Sequence, residues 1–560
     1  MHTSSSFRRA GYASVPSILT AFVLSISQAN AQAPQVLGGG FNYMCSLTAT
    51  EGSVRCWGLK TQSGIDSNAP ASKLPYPAMA VSGVVSLAAG RSVCALKNDG
   101  AVLCWGDNLY GGVGDAAFSN REILTPQIVN GIGPAIALGS GAFSDHVCAI
   151  TAGFAAKCWG RGGSGQLGNG KFTNTNIPQD VIGLGPATAV AAGLDHSCAI
   201  GLEGGVKCWG FGGLIGDGSG SSRLAATQVL GLTAGVVQIG AGFQHTCALL
   251  AAGTIKCWGN AGLGRLGHGA LTGGASPVDV LNVSGAVQIA VGGDYSCALL
   301  NTGSVRCWGS RQQALGDGIE WTSTNIPTPN AVTVVGLSGP AVSIGAGYRQ
   351  ACAVVASGVV ECWGRDPNTG LSSAQEARAT SHLGGYTIDT RLIMAEYRHG
   401  SLDYFFQTSR TFEKLLFKGA VPEFQPTGKS FLVFPAALTA NTKPITRYYF
   451  DKVAKGGTRG SHFYTLVDGE RSVLDGLNPS NATTAKLPQR EGTDSFAYTP
   501  AVEGVGGSCA AGQVPVYRAF RGQKFVDDAN HRFSTDLSLY NALVTSGWDG
   551  EGVKFCVSAP

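Results

Sequence analysis

His245–Gly259 reads HTCALLAAGTIKCWG: an apolar run, a turn of small residues, a second apolar run, and a cysteine near each end. Cys247 and Cys257 are ten positions apart, and Trp258-Gly259 follows the second. Gly253 stands one place past the midpoint, where a three-residue hairpin loop needs a left-handed residue that glycine adopts cheaply. Strands pairing about that midpoint set the cysteines opposite one another, close enough for a disulfide, and turn Trp258 to the other face. The same unit is written seven times, with the pairs Cys45/Cys56, Cys94/Cys104, Cys148/Cys158, Cys198/Cys208, Cys247/Cys257, Cys297/Cys307 and Cys352/Cys362. Their first members step by 49, 54, 50, 49, 50 and 55 residues. A sustained period of that length marks a repeat architecture.

Each hairpin sits in a larger unit. An apolar strand ending in glycine precedes it, as in Val236–Gly242. A glycine-rich loop follows the Trp-Gly, as in Gly165–Gly170 or Ala314–Gly318, and then a short strand such as Pro277–Val280. Three or four short strands without a helical period make one small sheet. Both faces of the hairpin are apolar, with the cysteines and Leu249 on one and Ala248 and Trp258 on the other. Packing such sheets radially covers both faces and protects the edges. We therefore expect an all-β, seven-bladed β-propeller over residues 32–389.

The unit, written G-A-G-x-x-H-x-C-A-L, then G-x-(I/V)-x-C-W-G, then G-x-L-G-(D/N)-G, resembles the repeat of the regulator of chromosome condensation family. The resemblance covers about residues 34–385 and implies a closed ring. Many members hold other residues at the two cysteine positions, and the doubled cysteines resemble an exported bacterial branch. Only Gln32–Gly40 precede the first hairpin, and the seventh unit ends in Gly384–Ile388. We expect this last stretch to supply the strand missing from blade one and so lock the ring.

The N-terminus reads as a signal peptide over residues 1–31. Arg8-Arg9 precede an apolar stretch from Val15 to Ser27, and Ala29-Asn30-Ala31 form a small-x-small site cleaved after Ala31. The twin arginines lack the rest of a twin-arginine export pattern. No second long apolar run exists, so no membrane span is expected in the mature chain. The protein is expected to be secreted or periplasmic and bacterial. In an oxidising compartment disulfides are the default for its 16 cysteines, with buried free thiols as the alternative. Zinc would want close Cys pairs with His partners, and there are none. A formal charge of +4, with only 13% charged residues, offers no clustered basic face for nucleic acid.

Around the turns before each hairpin stand Arg91, Asp145, His146, Asp195, His196, Gln244, His245, Asp294, Tyr295 and Arg349. Geometric repetition places these on a ring at one face. In the resembled family such turns meet a protein partner, a small GTPase for the eukaryotic regulator, and that activity does not transfer to an exported chain. The alternative is that the recurrent histidines hydrogen-bond a neighbouring backbone group within the scaffold. Asp145-His146 and Asp195-His196 are adjacent in extended chain and point opposite ways, so they form no dyad. There is no nucleophile elbow, no H-E-x-x-H and no phosphate loop. No catalytic residue, cofactor or metal is expected, and the chain reads as a binding protein, not an enzyme.

Residues 390–560 read as a second, β-rich (α+β) repeat domain. Residues 391–560 hold 19 of the 39 Lys and Arg and 16 of the 35 Asp and Glu, and the Trp-Gly units stop, which sets the boundary. Three copies begin with an aromatic-basic strand followed by F-x-T at Phe406–Thr408, Phe463–Thr465 and Phe533–Thr535, each with an amphipathic stretch after it. The pattern resembles a bacterial domain family of unknown function appended to exported proteins. Cys509 and Cys556 bracket the third copy as an eighth disulfide. Tyr404, Tyr464, Tyr517 and Trp548 are candidates for stacking on cell-surface glycan, with core packing as the alternative. The leading reading is a monomeric exported binding protein. An inhibitor of an extracellular enzyme and a glycan-active enzyme with a sugar-binding module are the alternatives.

Overall fold

The structure is a computed structural model. It describes residues 36–365 apart from 48–51, 59–71, 78–80, 117–121, 312–314 and 320–326. It further describes 378–379, 386–388, the strands between 392 and 498, residue 500, and 507–558 apart from 512 and 521–530. The expected signal peptide, 1–31, lies outside the described residues.

Seven antiparallel meanders follow one another, over 37–77, 84–128, 135–180, 187–228, 236–279, 286–333 and 341–364. The first six have four strands each, in sequence order. Within the second hairpin of each sheet the register is the one the cysteines dictate. Cys247 pairs with Cys257, Thr246 with Trp258, and Leu249 with Ile255, and the other six blades repeat it. All seven hairpin disulfides are formed, Cys94–Cys104 and Cys148–Cys158 among them, at Cα separations of 4.0 or 4.1 Å. Gly253 takes φ +75° at the turn. Blade three departs here, because Phe154 occupies the equivalent place with φ +64°. A non-glycine residue there costs about 1–2 kcal/mol, offset by burial of the ring, which is 8% exposed.

The tryptophan and the disulfide of each hairpin point to opposite sides, and that alternation builds the ring. Trp258 lies in one buried cluster with Cys198 and Cys208 of the preceding blade, and Trp308 with Cys247 and Cys257. Trp363 joins Cys297 and Cys307, and Trp105 joins Cys45 and Cys56. Around blades two to four two such joints run together, so that Trp159 and Trp209 share one larger cluster with Cys94, Cys104, Cys148 and Cys158. Trp57 closes the circle on Cys352 and Cys362 of blade seven. The glycine loop belongs to the same contact. Gly168 has φ +67°, and a Cβ there would stand 2.8 Å from Trp209 Cδ1 of the next blade. Trp209 Nε1 donates to the Gln166 carbonyl at 2.8 Å, and Trp159 and Trp308 donate likewise to the carbonyls of Gly112 and Arg265. The C-W-G and G-x-L-G motifs are thus two halves of one inter-blade joint.

Closure differs from the sequence expectation. Leu37–Gly39 supplies the innermost strand of blade one, so that blade is complete and lacks nothing. The blade short of a strand is the seventh, with three. Tyr386–Ile388 runs beside it instead: Val360 N–H donates to the Tyr386 carbonyl and Ile388 N–H to the Gly358 carbonyl. The three residues Leu37–Gly39 were enough for a strand, because blade seven covers them from the side. This returning segment still touches blade one, where the Tyr386 and Ser46 hydroxyls are 3.0 Å apart.

Beyond the propeller, strands Leu392–His399, Tyr404–Thr408 and Phe424–Val433 form one sheet. Six more strands, from Thr442–Phe450 to Asp549–Ser558, form another. The last amphipathic stretch is a helix, Leu537–Thr545, capped by the Asp536 carboxylate, which accepts from the Ser538 and Leu539 N–H groups. The equivalent stretches at 410–417 and 468–477 lie outside the described residues. Cys509 and Cys556 are bonded, and Arg518, almost fully buried, pairs with Glu551.

Candidate functional site at the turn end of the propeller

The turns joining the first and second strands of every blade gather at one end of the ring. Backbone hydrogen bonds knit them together: Arg91 N–H to Ser144, Phe243 N–H to Gly293, Gly293 N–H to Tyr348, and Tyr348 N–H to Gly40. In blades two to seven the residue after the Trp-Gly ties down the turn of its own blade, as when Asn260 N–H donates to the Gln244 carbonyl. These turns are rigid because they hang on disulfide-pinned strands. The hairpin cysteines themselves contribute nothing to the surface. Cys45 and Cys56, Cys94 and Cys104, Cys148 and Cys158, Cys198 and Cys208, Cys247 and Cys257, Cys297 and Cys307, and Cys352 and Cys362 are all fully buried. None of the cysteines is a free thiol, which removes the alternative of buried unbonded sulfurs.

The ten sequence candidates divide into two sets. His146, His196, His245 and Tyr295 are fully buried in the seams. His146 Nε2 lies 2.6 Å from Ser197 Oγ, His196 Nε2 2.6 Å from Thr246 Oγ1, and His245 Nε2 2.8 Å from Ser296 Oγ, each on the next blade. The Ser197 hydroxyl donates to the Gln166 carbonyl, so His146 is the donor to Ser197. Tyr295 OH donates to the carbonyls of Gln350 and Gly347, and Gln350 Nε2 carries the chain across the closure to the Tyr43 carbonyl. Burial holds the imidazoles neutral, lowering His146 and His245 to about 3 and His196 to about 4. These four side chains face a neighbouring blade and not solvent. Their partners are mostly side-chain hydroxyls on the next blade, where the sequence pointed to a neighbouring backbone group.

The other six reach the surface. Arg91 lies 3.3 Å from Asp107 and 3.2 Å from Asp145. Arg161 meets Asp195 at 2.7 Å, and Arg265 meets Asp294 at 2.7 Å. Gln244 accepts from Asn260 at 2.9 Å. Asp145 is raised to about 6, chiefly by burial, against the pull of Arg91. Arg349 is exposed, its guanidinium 5.1 Å from the centroid of the Tyr348 ring.

Sequence reasoning missed the centre of this face. Phe41, Phe143, Phe243 and Tyr348, from blades one, three, five and seven, meet in one cluster. Phe41 and Phe143 pack edge to face at 4.8 Å, and Phe143 lies 5.2 Å from Phe243 and 5.0 Å from Tyr348. Blades three and seven, or three and five, are not neighbours, so these contacts cross the mouth of the central channel. Turn length makes this possible. The partner of Cys247 is Gly240, seven positions earlier, whereas that of Cys148 is Gly139, nine earlier, and that of Cys94 is Ala88, six earlier. The longer turn carries Phe143 over the axis. Beside the short one, Arg91 reaches in to lie 5.6 Å from the Phe41 ring and 5.4 Å from Phe143. All four aromatic rings are half-buried.

Of the glycan candidates, Trp548 is buried and Tyr517 stacks on Tyr540 of the helix at 5.1 Å. Tyr404 and Tyr464 fall in strands, and their side chains lie outside the described residues. Among the described residues, no group of three His, Cys, Asp or Glu side chains is placed to hold a metal. Among them too, no helix is long and apolar enough to cross a membrane. The eight disulfides suit an oxidising compartment.

The ring of seven blades, with the turns between first and second strands at one end, is a β-propeller. Models of the regulator of chromosome condensation (RCC1) repeat match residues 84–111, 158–200, 236–265 and 286–312. A domain of unknown function, DUF5648, matches residues 489–558. No curated protein sequence matches the chain. Among solved structures, Prp20p of Saccharomyces cerevisiae is similar at 19% identity and TM-score 0.51, covering 64% of this chain and 88% of Prp20p. Yeast RCC1 (Prp20) bound to Kap60 is 18% identical, at TM-score 0.49 over 68% of this chain and 90% of that one. Human WBSCR16 is 19% identical, at 0.47 over 56% and 85%.

Proposed function

We propose that the chain is an exported, non-enzymatic binding protein whose turn-end face engages a protein partner. On this reading residues 1–31 direct export, 32–389 form the binding module, and 390–560 add attachment to surface glycan. The carrying observation is the partition of the ten turn residues: four lock the seams, and six stand around one rigid face. Rigid turns lower the ordering cost of association. Paired charges around a partly apolar centre match the layout of a protein interface, with its polar rim. The printed subject of the Prp20p structure is binding to Gsp1p and histones; the partner here is an extracellular or envelope protein. An inhibitor of an extracellular enzyme would use the same face, and the identity of the captured partner separates the two.

Site-specific photo-crosslinking tests this. A photoreactive residue at Gln244 or Arg349 of the full chain should give adducts with one protein of the producing organism's envelope or secreted fraction. The same residue at Asn98 or Asn301, on hairpin tips at the opposite end, should not. Equal adducts from both ends would sink the proposal.

A further inference from the structure

We infer that the aromatic mouth is the energetic centre of this face, and that it takes a polypeptide loop presenting a large apolar side chain beside a carboxylate. The inference rests on the face reading above and specifies its occupant. Phe41, Phe143, Phe243 and Tyr348 give a central apolar patch on rigid turns, with Arg91 held against two of the rings. Interface energy concentrates in such clusters of aromatics and arginine at the centre of a contact, ringed by groups that exclude water.

Charge selects the occupant. The carboxylates around the mouth are already matched: Asp107 and Asp145 by Arg91, Asp195 by Arg161, and Asp294 by Arg265. Arg349 is exposed, and among the described residues it has no ion pair. Among the described residues Arg349 is therefore an unmatched cation at the rim of an apolar patch, which an Asp or Glu next to a Leu, Phe or Trp complements. A sugar would need a ring face open to stack on, whereas Phe143 is engaged by Phe41, Phe243, Tyr348 and Arg91.

The test selects a library of loop-constrained random peptides on the immobilised full chain. Enriched peptides should pair an acidic with a large apolar residue. Their affinity should fall about thirtyfold in Phe143→Ala and about tenfold in Arg349→Glu. Selection on Arg349→Glu should enrich Lys or Arg in place of the acid. Because Phe143→Ala could disturb the mouth, its melting curve and tryptophan emission are compared with wild type, and Tyr348→Ser serves as the second variant. Peptides without the acidic-apolar pair, or indifferent to all of these variants, overturn the inference. If such peptides are lost in Gln244→Arg, the face reading stands alone. If they are indifferent to that variant as well, both fall. A glycan-array signal abolished by Phe143→Ala, without peptide enrichment, replaces the polypeptide with a sugar and also overturns it.

Discussion

His245 and Phe243 are two residues apart on one turn, yet they belong to opposite regions of the molecule. The seam around His245 is fully buried and hydrogen-bonded to the next blade. The mouth around Phe243 is half-buried and makes contacts between blades that are not neighbours. Seam residues share one task in six of the seven blades: Tyr43, His146, His196, His245, Tyr295 and Gln350 all bridge to the next blade, and blade two has Ser92 at that place. Mouth residues vary more: four places before the first cysteine stand Phe41, Gly90, Ser144, Leu194, Phe243, Gly293 and Tyr348, and a longer turn brings in Phe143. The contrast teaches that in this ring repetition marks scaffold, and that departures from the repeat mark the surface with something to recognise.

Substitutions can break that contrast, beginning in the seam. Trp209→Ala empties the joint between blades three and four. It should lower stability by about 3–5 kcal/mol, read as a shift in denaturant midpoint at unchanged slope. Removing one staple with Cys247→Ala/Cys257→Ala should cost about 2–3 kcal/mol. An unmoved midpoint there would show that the Trp contacts alone hold the blade.

Acid probes the seam through its histidines. Their folded pKa values, about 3 to 4, lie below the ordinary 6.5. The unfolded chain therefore binds more protons between those values, and stability should be full above pH 6.5 and fall as pH drops toward 4. Each histidine contributes a slope of up to about 1.4 kcal/mol per pH unit. Asp145, raised to about 6, acts with the opposite sign between its two values, and there is one of it. Gln350 shows that the position accepts glutamine, so His245→Gln should remove one share of the slope in denaturation curves between pH 4 and 7. An unchanged slope would place the acid sensitivity elsewhere.

At the mouth the same measurements should barely respond. Phe143→Ala should cost about 1 kcal/mol or less, since its ring is only half-buried, while lowering peptide affinity about thirtyfold. Arg349→Glu should leave stability within about 0.5 kcal/mol. A large destabilisation by either would make the mouth a second core and not a surface.

Much of this was legible in the sequence. The Cys-to-Cys spacing dictated the hairpin register in every blade, from Cys94 opposite Cys104 to Cys352 opposite Cys362, because opposed cysteines permit only one pairing. The period dictated seven sheets. The closure was misread because strand length is a poor guide where neighbours do the covering: Leu37–Gly39 looks too short alone, yet it is buried between blades. The mouth escaped notice for a related reason. Aligning the units on their cysteines puts Ser144 of blade three where Phe243 stands in blade five, and Gly90 there in blade two. Phe41, Phe243 and Tyr348 share one repeat position, four before the first cysteine, and that recurrence was there to be read; the longer turn of blade three shifts Phe143 off it, so only the structure shows that it joins them.

Every one of the eight disulfides joins a cysteine to the very next cysteine in the chain. A chain emerging from its N-terminus thus meets each correct partner before any wrong one. Oxidation in order of emergence joins only sequence neighbours and so reaches the native connectivity without a reshuffling step. A protein that could in principle tangle sixteen thiols has reduced its oxidative folding to a sequence of local, independent decisions.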